Sequence, residues 1–404
     1  MAWVEARVGP QPVAAETIVR RAESVERDTA GAVAEIAAAL GPGPFALVML
    51  FVGRGHDLAA AGAAVKRHFP GDTVIGCTTA GEIGVSGYLD GAVAAVGLPL
   101  SHFRASVLVI DDVGRFDGAP VAEVLRMRGA LASRAPTWVN EFAFMLVDGL
   151  SMKEDRIVAA LAPALGTTPL LGGSAGDGLS FERTFVLADG AFRQNAAVVA
   201  FIRTACRVKV FRFDHLVPTG QRMVVTDADP ERRIVRELNA EPAARAYARA
   251  LGRDPDQLSA FTFAAHPVAV RVGDRHHVCS IQRVEPNGDL RFLAAIDEGL
   301  VLTLAEGRDI LSHLEESLAA LAPGGPPDAI IACDCILRRL ELEQRQAMQS
   351  ASAILSRHRV TGFSGYGEQM NMLHVNQTFT GVAIFAPSEA SSAGQPASGA
   401  PAAA

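Results

Sequence analysis

A chain of 404 residues with 49% hydrophobic and 20% charged residues has the balance of a soluble globular protein, long enough for two or more domains. Its formal charge of −7 excludes the basic footprint of a nucleic-acid binder, and no apolar run approaches the roughly 20 residues that would insert across a membrane. Five scattered cysteines make no disulfide framework and the opening MAWVEARVGPQPV lacks the order of a secretory signal, so a cytoplasmic location is expected.

In chain order, residues 1–40 read as a helical lead-in. FALVMLFVG (45–53) is an apolar run of buried-strand length. DLAAAGAAVKRHF (57–69) opens on an N-cap aspartate and keeps helical spacing, and the glycine-rich VIGCTTAGEI (74–83) precedes two strand-like runs, GAVAAVGLPL and RASVLVI. The order returns with FAFMLVDGL (142–150), a helix over 151–165, LLGGSAGDG (170–178), NAAVVAFI and CRVKVFRF. It returns again with DAIIACDCI (328–336), a helix over 338–358, TGFSGYGEQ (361–369) and LHVNQTFTGVAIF. From strand start to first motif glycine the offsets are 31, 30 and 33 residues, which argues for one strand–helix–strand–hairpin unit used three times.

The first and third glycine motifs share the pattern Gly76, Gly81, Glu82 and Gly362, Gly367, Glu368, and the second reads as one residue shorter, ending Gly176-Asp177. A phosphate-binding loop would carry lysine after the second glycine, where these copies place an acid. The glycines therefore read as architecture, at strand ends where backbones approach closely.

Between the second and third copies, DADPERRIVRELNAEPAARAYARALG (227–252) reads as a charged helical linker interrupted at Pro242. Strand-like pieces follow, then a helix and the breaker PGGPP. The expected architecture is α/β with mixed sheets, one domain over 41–226 and a second over 227–385. Residues 386–404, all small or turn-forming apart from one glutamate and one glutamine, are expected to be a disordered tail.

GCTTAGEI, GGSAGD, CDCILRRLELE and GFSGYGEQ…LHVNQTFTGVAIF, in this order, resemble the FIST proteins of bacterial signal transduction, with their N-terminal and C-terminal sensory domains. The closing and Cys-Asp-Cys segments are most similar to the branch described as haem-based nitric oxide sensors. That resemblance implies haem b as cofactor, nitric oxide as signal, and control of a separate histidine kinase or cyclic-di-GMP enzyme, with a homodimer compatible. The alternative the family offers is a haem-free sensor of a small polar metabolite such as an amino acid. In the strand HHVCSIQ, Cys279 stands where the family often has arginine.

On the haem reading, His374 is the expected proximal and metal ligand, flanked by Leu373, Val375 and Phe379, with Asn376 among the residues able to fix its tautomer. His266, presented before Pro267, and Cys335 are the alternatives; Phe363 and Tyr366 supply aromatic walls and Arg338 a propionate contact. Cys333 and Cys335 alternate on one apolar strand and serve equally as small buried fillers. No zinc-protease helix, nucleophile elbow or Walker lysine is present, so no enzyme is expected; the third reading, a cysteine-dependent enzyme, would have to rest on these thiols.

Overall fold

The computed structural model describes residues 17–116, 121–272, 275–371 and 373–387. Its elements fall into three runs. The first is β1 (Arg20–Ser24), α1 (Thr29–Leu40), β2 (Phe45–Val52), α2 (Leu58–His68), β3 (Val74–Thr78), β4 (Glu82–Gly84), β5 (Gly87–Leu89) and β6 (Val93–Pro99). The second is β7 (Phe103–Ile110), α3 (Val121–Arg134), β8 (Asn140–Val147), α4 (Glu154–Leu165), β9 (Leu170–Ser174), β10 (Val186–Ala188), β11 (Ala191–Arg193) and β12 (Ala197–Thr204).

The third run begins with β13 (Arg207–Phe213) and is then interrupted by an insert. The insert comprises β14 (Leu216–Asp229), β15 (Ile234–Leu238), β16 (Glu241–Pro242), α5 (Ala243–Ala250), α6 (Ala260–Ala265), β17 (Val268–Val272), β18 (Arg275–Cys279), β19 (Ile281–Val284), β20 (Leu290–Phe292) and β21 (Val301–Gly307). The run resumes with α7 (Ile310–Ala319), β22 (Ala329–Cys335), α8 (Ile336–Gln344), α9 (Met348–Arg357), β23 (Val360–Gly365), β24 (Glu368–Met370), β25 (Leu373–Val375) and β26 (Phe379–Phe385).

Three mixed sheets share one strand order. They read β1-β6-β2-β3-β10-β11, β7-β12-β8-β9-β24-β25 and β13-β26-β22-β23-β4-β5. In each, the two middle strands joined through a helix are parallel, and the last strand of the run pairs antiparallel beside them. Each hairpin leaves its own run: the first run's closes the third sheet, the second run's the first, and the third run's the second. The exchange is cyclic, so no run completes its sheet alone.

Strand alternation explains how the sheets pack. In β2, Leu47, Met49 and Phe51 face a central core shared by all three sheets, while Val48, Leu50 and Val52 face α1 and α2. The second and third sheets likewise back onto α3 with α4 and onto α7 with α9. The insert folds around its own sheet and core.

At the centre, backbone bonds repeat in a ring. Ala80 N donates to the Ser364 carbonyl at 2.8 Å, Gly176 N to Thr78 at 3.0 Å and Tyr366 N to Ser174 at 3.2 Å. Gly76, Gly172 and Gly362 occupy matching places in β3, β9 and β23, where a Cβ would overlap the carbonyls of Leu50, Met145 and Ala332 on the neighbouring strands.

Several expectations need correction. The lead-in is not wholly helical, because β1 precedes α1 and pairs with β6; what was expected for residues 1–16 lies outside the described residues. The charged linker carries strand before Pro242: Ile234, Val235 and Leu238 are buried in β15, and helix starts only after Pro242, the N-cap of α5. The third-copy helix divides into α8 and α9 at residues 345–347, where Gln346 has φ +55°. The tail over 388–404 lies outside the described residues.

The second motif was also misplaced. Pairing puts Val186, not Asp177, opposite Cys77, as Glu82 stands opposite Phe363 and Glu368 opposite Gly173. Four positions separate Thr78 from Glu82 and Ser364 from Glu368, but twelve separate Ser174 from Val186. The second run therefore carries an inserted loop.

Candidate functional site

The residues expected to hold haem are divided among several places. His374 is 8% exposed and both ring nitrogens are engaged: Nδ1 lies 3.2 Å from Gln369 Nε2 and Nε2 lies 3.3 Å from the Leu293 carbonyl. Gln369 donates to Nδ1, so the ring proton sits on Nε2 and points at Leu293. Asn376 does not set that tautomer; its amide accepts from Ser280 N and donates to the Tyr366 carbonyl, each at 3.3 Å. Both side chains tie the insert to the body.

Phe363 stacks on Phe51 at 4.9 Å in the central core. Arg338 is buried, with Nε 2.8 Å from Asp334 and Nη1 2.9 Å from His215 Nδ1, so it is committed to these partners and only 1% exposed. His215 in turn donates to Glu341 at 2.8 Å. Cys335 is the N-cap of α8, but burial pushes its thiol well up, as it does those of Cys77 and Cys333. Such thiols remain protonated and are poor nucleophiles or ligands. His266 belongs to the insert, where it lines a 280 Å³ cavity with Thr219, Gln221 and Glu306.

As arranged, these side chains do not fit haem. Among the described residues, no group of three or more His, Cys, Asp or Glu is placed to hold a metal ion. His374 has no free lone pair, and a Cβ on Gly367 would overlap its ring, so the backbone closes over that edge. The two aromatic residues and the arginine named with it are committed elsewhere.

A different site emerges where the cyclic arrangement departs from itself. In each sheet the turn after the first middle strand lies near the segment that another run sends across, and the three places have different contents. In the third sheet Arg339 donates to the Leu89 carbonyl at 2.8 Å and sits where a Cβ on Gly81 would fall. In the second sheet the Tyr366 ring lies against Gly149. In the first sheet there is an open crevice with a volume of about 350 Å³. Its walls are Gly53, Arg54, Gly55, His56, Leu58, Thr78, Thr79 and the inserted loop, contributing Gly176, Asp177, Ser180, Glu182 and Arg183.

The position follows the general rule for open α/β sheets, in which ligands bind beyond the carboxyl ends of parallel strands. Gly53 ends β2 without a side chain because a Cβ would come within 2.7 Å of the Ala92 backbone and of Glu82. Glu82 tucks beneath, accepting from Ala92 N at 2.9 Å and from the Thr79 hydroxyl; burial raises its carboxyl to about 7. Asp57 caps α2 through Ala59 N and Ala60 N, while Thr29 Oγ1 accepts from Asp57 N and meets His56 Nδ1 at 3.1 Å.

Asp177 organises the inserted loop. Its carboxylate accepts from Phe181 N, Glu182 N and Arg183 N at 2.8 Å each, and from the Tyr366 hydroxyl. Phe181 stacks on Tyr366 at 4.4 Å and shares an apolar cluster with Leu293 and Ala264 of the insert. The loop therefore touches the crevice on one side and packs toward the insert on the other. Sequence reasoning missed Arg54, His56, Ser180 and Arg183. The available signal was the long interval between the second motif and its following strand.

Comparison with known proteins agrees with this architecture. The FIST N domain matches residues 46–241 and the FIST C domain residues 243–371, so the chain belongs to the FIST family. The family boundary falls within the insert rather than between two runs. An uncharacterised protein of Methanocaldococcus jannaschii is 24% identical over an alignment covering 81% of this chain and 70% of that relative. FIST domains point to a sensory signalling role. Among the described residues no helix is long and apolar enough to cross a membrane.

Proposed function

We propose that this FIST-domain protein senses a small polar metabolite, such as an amino acid, in the crevice between β2, α2 and the inserted loop. A separate signalling protein, a histidine kinase or a cyclic-di-GMP enzyme, would read the occupied state. One observation carries this reading: beyond the parallel strands of the first sheet lies an open crevice walled by a loop that the other runs lack, whereas in the other two sheets Arg339 and Tyr366 pack against Gly81 and Gly149. Departures from a repeated local plan concentrate at functional sites. We assign the protein no chemical step, since its buried thiols are held protonated. A homodimer is compatible with the proposal and not required by it.

The experiment is calorimetric titration of the full chain with an amino-acid panel, repeated on Ser180→Trp, which places an indole in the crevice. Saturable binding that the substitution removes is the expected result; binding unaffected by it would place the ligand elsewhere.

The family resemblance also supports the haem-dependent nitric oxide sensor, and the committed state of His374 weighs against it. Haem titration of wild type and His374→Ala decides between the two. A stoichiometric Soret band with a nitrosyl shift, lost in the variant, would restore the haem reading and displace the metabolite sensor.

A further inference from the structure

We infer that the open crevice recognises an anionic head group, a carboxylate or a phosphoryl group, held by Arg54 and Arg183. This rests on the crevice being the ligand site, and it follows from counting which polar groups of the wall remain available.

The acceptors are nearly all consumed. Asp177 is saturated by three backbone amides and the Tyr366 hydroxyl. Thr78 Oγ1 accepts from Phe185 N at 3.0 Å, and the Thr79 hydroxyl is donated downward to Glu82. Glu82 itself faces Ala92 and Thr79 and takes no part in the wall.

The donors are left over. The Arg54 guanidinium lies against the inserted loop, 3.2 Å from where a Cβ on Gly178 would stand. Its one ion pair, to Asp90 at 3.3 Å, joins side chains that are 58% and 56% exposed, and such a pair contributes little. Arg183 lines the crevice, and its own backbone N–H is already held by Asp177. His56 lines the crevice too, but its Nδ1 is engaged by Thr29 and its Nε2 is covered beside the Gly91 backbone, so its ring is a wall of the site and not one of its free donors.

Two arginines lining a space of about 350 Å³ form a pair complementary to an oxyanion. Glu182, whose carboxylate makes no hydrogen bond or ion pair among the described residues, lines the same wall and would take the ammonium of an amino acid.

The test uses the full chain at fixed ionic strength, with inorganic phosphate, succinate, glycine, putrescine and glycerol as probes, followed by calorimetry. Wild type is expected to bind phosphate or the carboxylates saturably, and which arm responds identifies the head group. Arg54→Ala and Arg183→Ala should each weaken that binding about tenfold or more with the unliganded melting temperature unchanged. Ser180→Trp should abolish it. If putrescine or glycerol binds, Ser180→Trp blocks it and no anion competes, the crevice holds a ligand but this inference fails while the reading above survives. Anion binding that persists in both arginine variants and in Ser180→Trp overturns the inference, and binding of no probe overturns it too.

Discussion

Glu82 and Glu368 hold matching places and show how one residue type meets two environments. Glu82 has a hydroxyl on one oxygen and an amide on the other, whereas Glu368 gives one oxygen to Thr378 and leaves Oε1 buried and unpaired near Cys335. Burial raises both, Glu82 to about 7. A folded value above the unfolded one means that the folded protein binds the proton more tightly. The contribution of Glu82 is therefore full below the unfolded value and lost as pH rises through about 7. It should amount to roughly 3 kcal/mol across that window. Glu82→Gln keeps the shape and removes the titration, so urea unfolding between pH 4 and 8 should show a flatter stability profile than wild type. An unchanged slope would mean that Glu82 stays ionised. His374 teaches a related lesson: its apolar neighbours suggested a ligand, yet the decisive groups are Gln369 of β24 and the Leu293 carbonyl just after β20.

At the scale of elements, the inserted loop and the glycine strands make opposite demands. The loop is ordered by one carboxylate, so Asp177→Ala should free the amides of Phe181, Glu182 and Arg183 and speed their hydrogen exchange about tenfold or more, while β3 and β9 keep their protection. Loss of protection in the strands as well would show the loop to be part of the core. The glycine strands tolerate no such change. In Gly362→Val a side chain would enter the Ala332 carbonyl between parallel strands, costing about 3 kcal/mol or more, which should appear as a fall of several degrees in melting temperature. A wild-type melting curve would mean that β22 and β23 can separate without penalty.

For the whole molecule, the cyclic hairpin exchange makes the three runs depend on one another, and the insert is fastened across their junction. Its strongest tie is Arg233, 2.6 Å from Glu154 and 2.5 Å from the Leu293 carbonyl, with both charged side chains almost fully buried. Removing one partner of such a pair strands the other charge. Arg233→Ala should therefore destabilise the protein by about 3 kcal/mol, and Arg233→Ala with Glu154→Gln should recover part of that loss. If the double variant is as unstable as the single one, the pair is not what holds the insert. Burial pushes the Glu154 carboxyl up, but the charge and hydrogen bond of Arg233 outweigh it and hold the carboxyl below the usual range.

The sequence by itself determined the middle strands, most of the helices and the places of Gly76 and Gly362. Apolar runs, helical spacing and glycine depend on neighbours close along the chain, and they persist in any fold built from these pieces. It also carried the family, since the motifs and their order are linear features. Tertiary structure alone decided which sheet each hairpin joins, because strand pairing over hundreds of residues leaves no local pattern. It turned the charged segment before Pro242 into strand, where burial of Ile234, Val235 and Leu238 overrides helical composition. It also decided the site: Arg54 and His56 come from one run and Ser180 and Arg183 from the next, and only the exchange of the second hairpin into the first sheet brings them to one crevice.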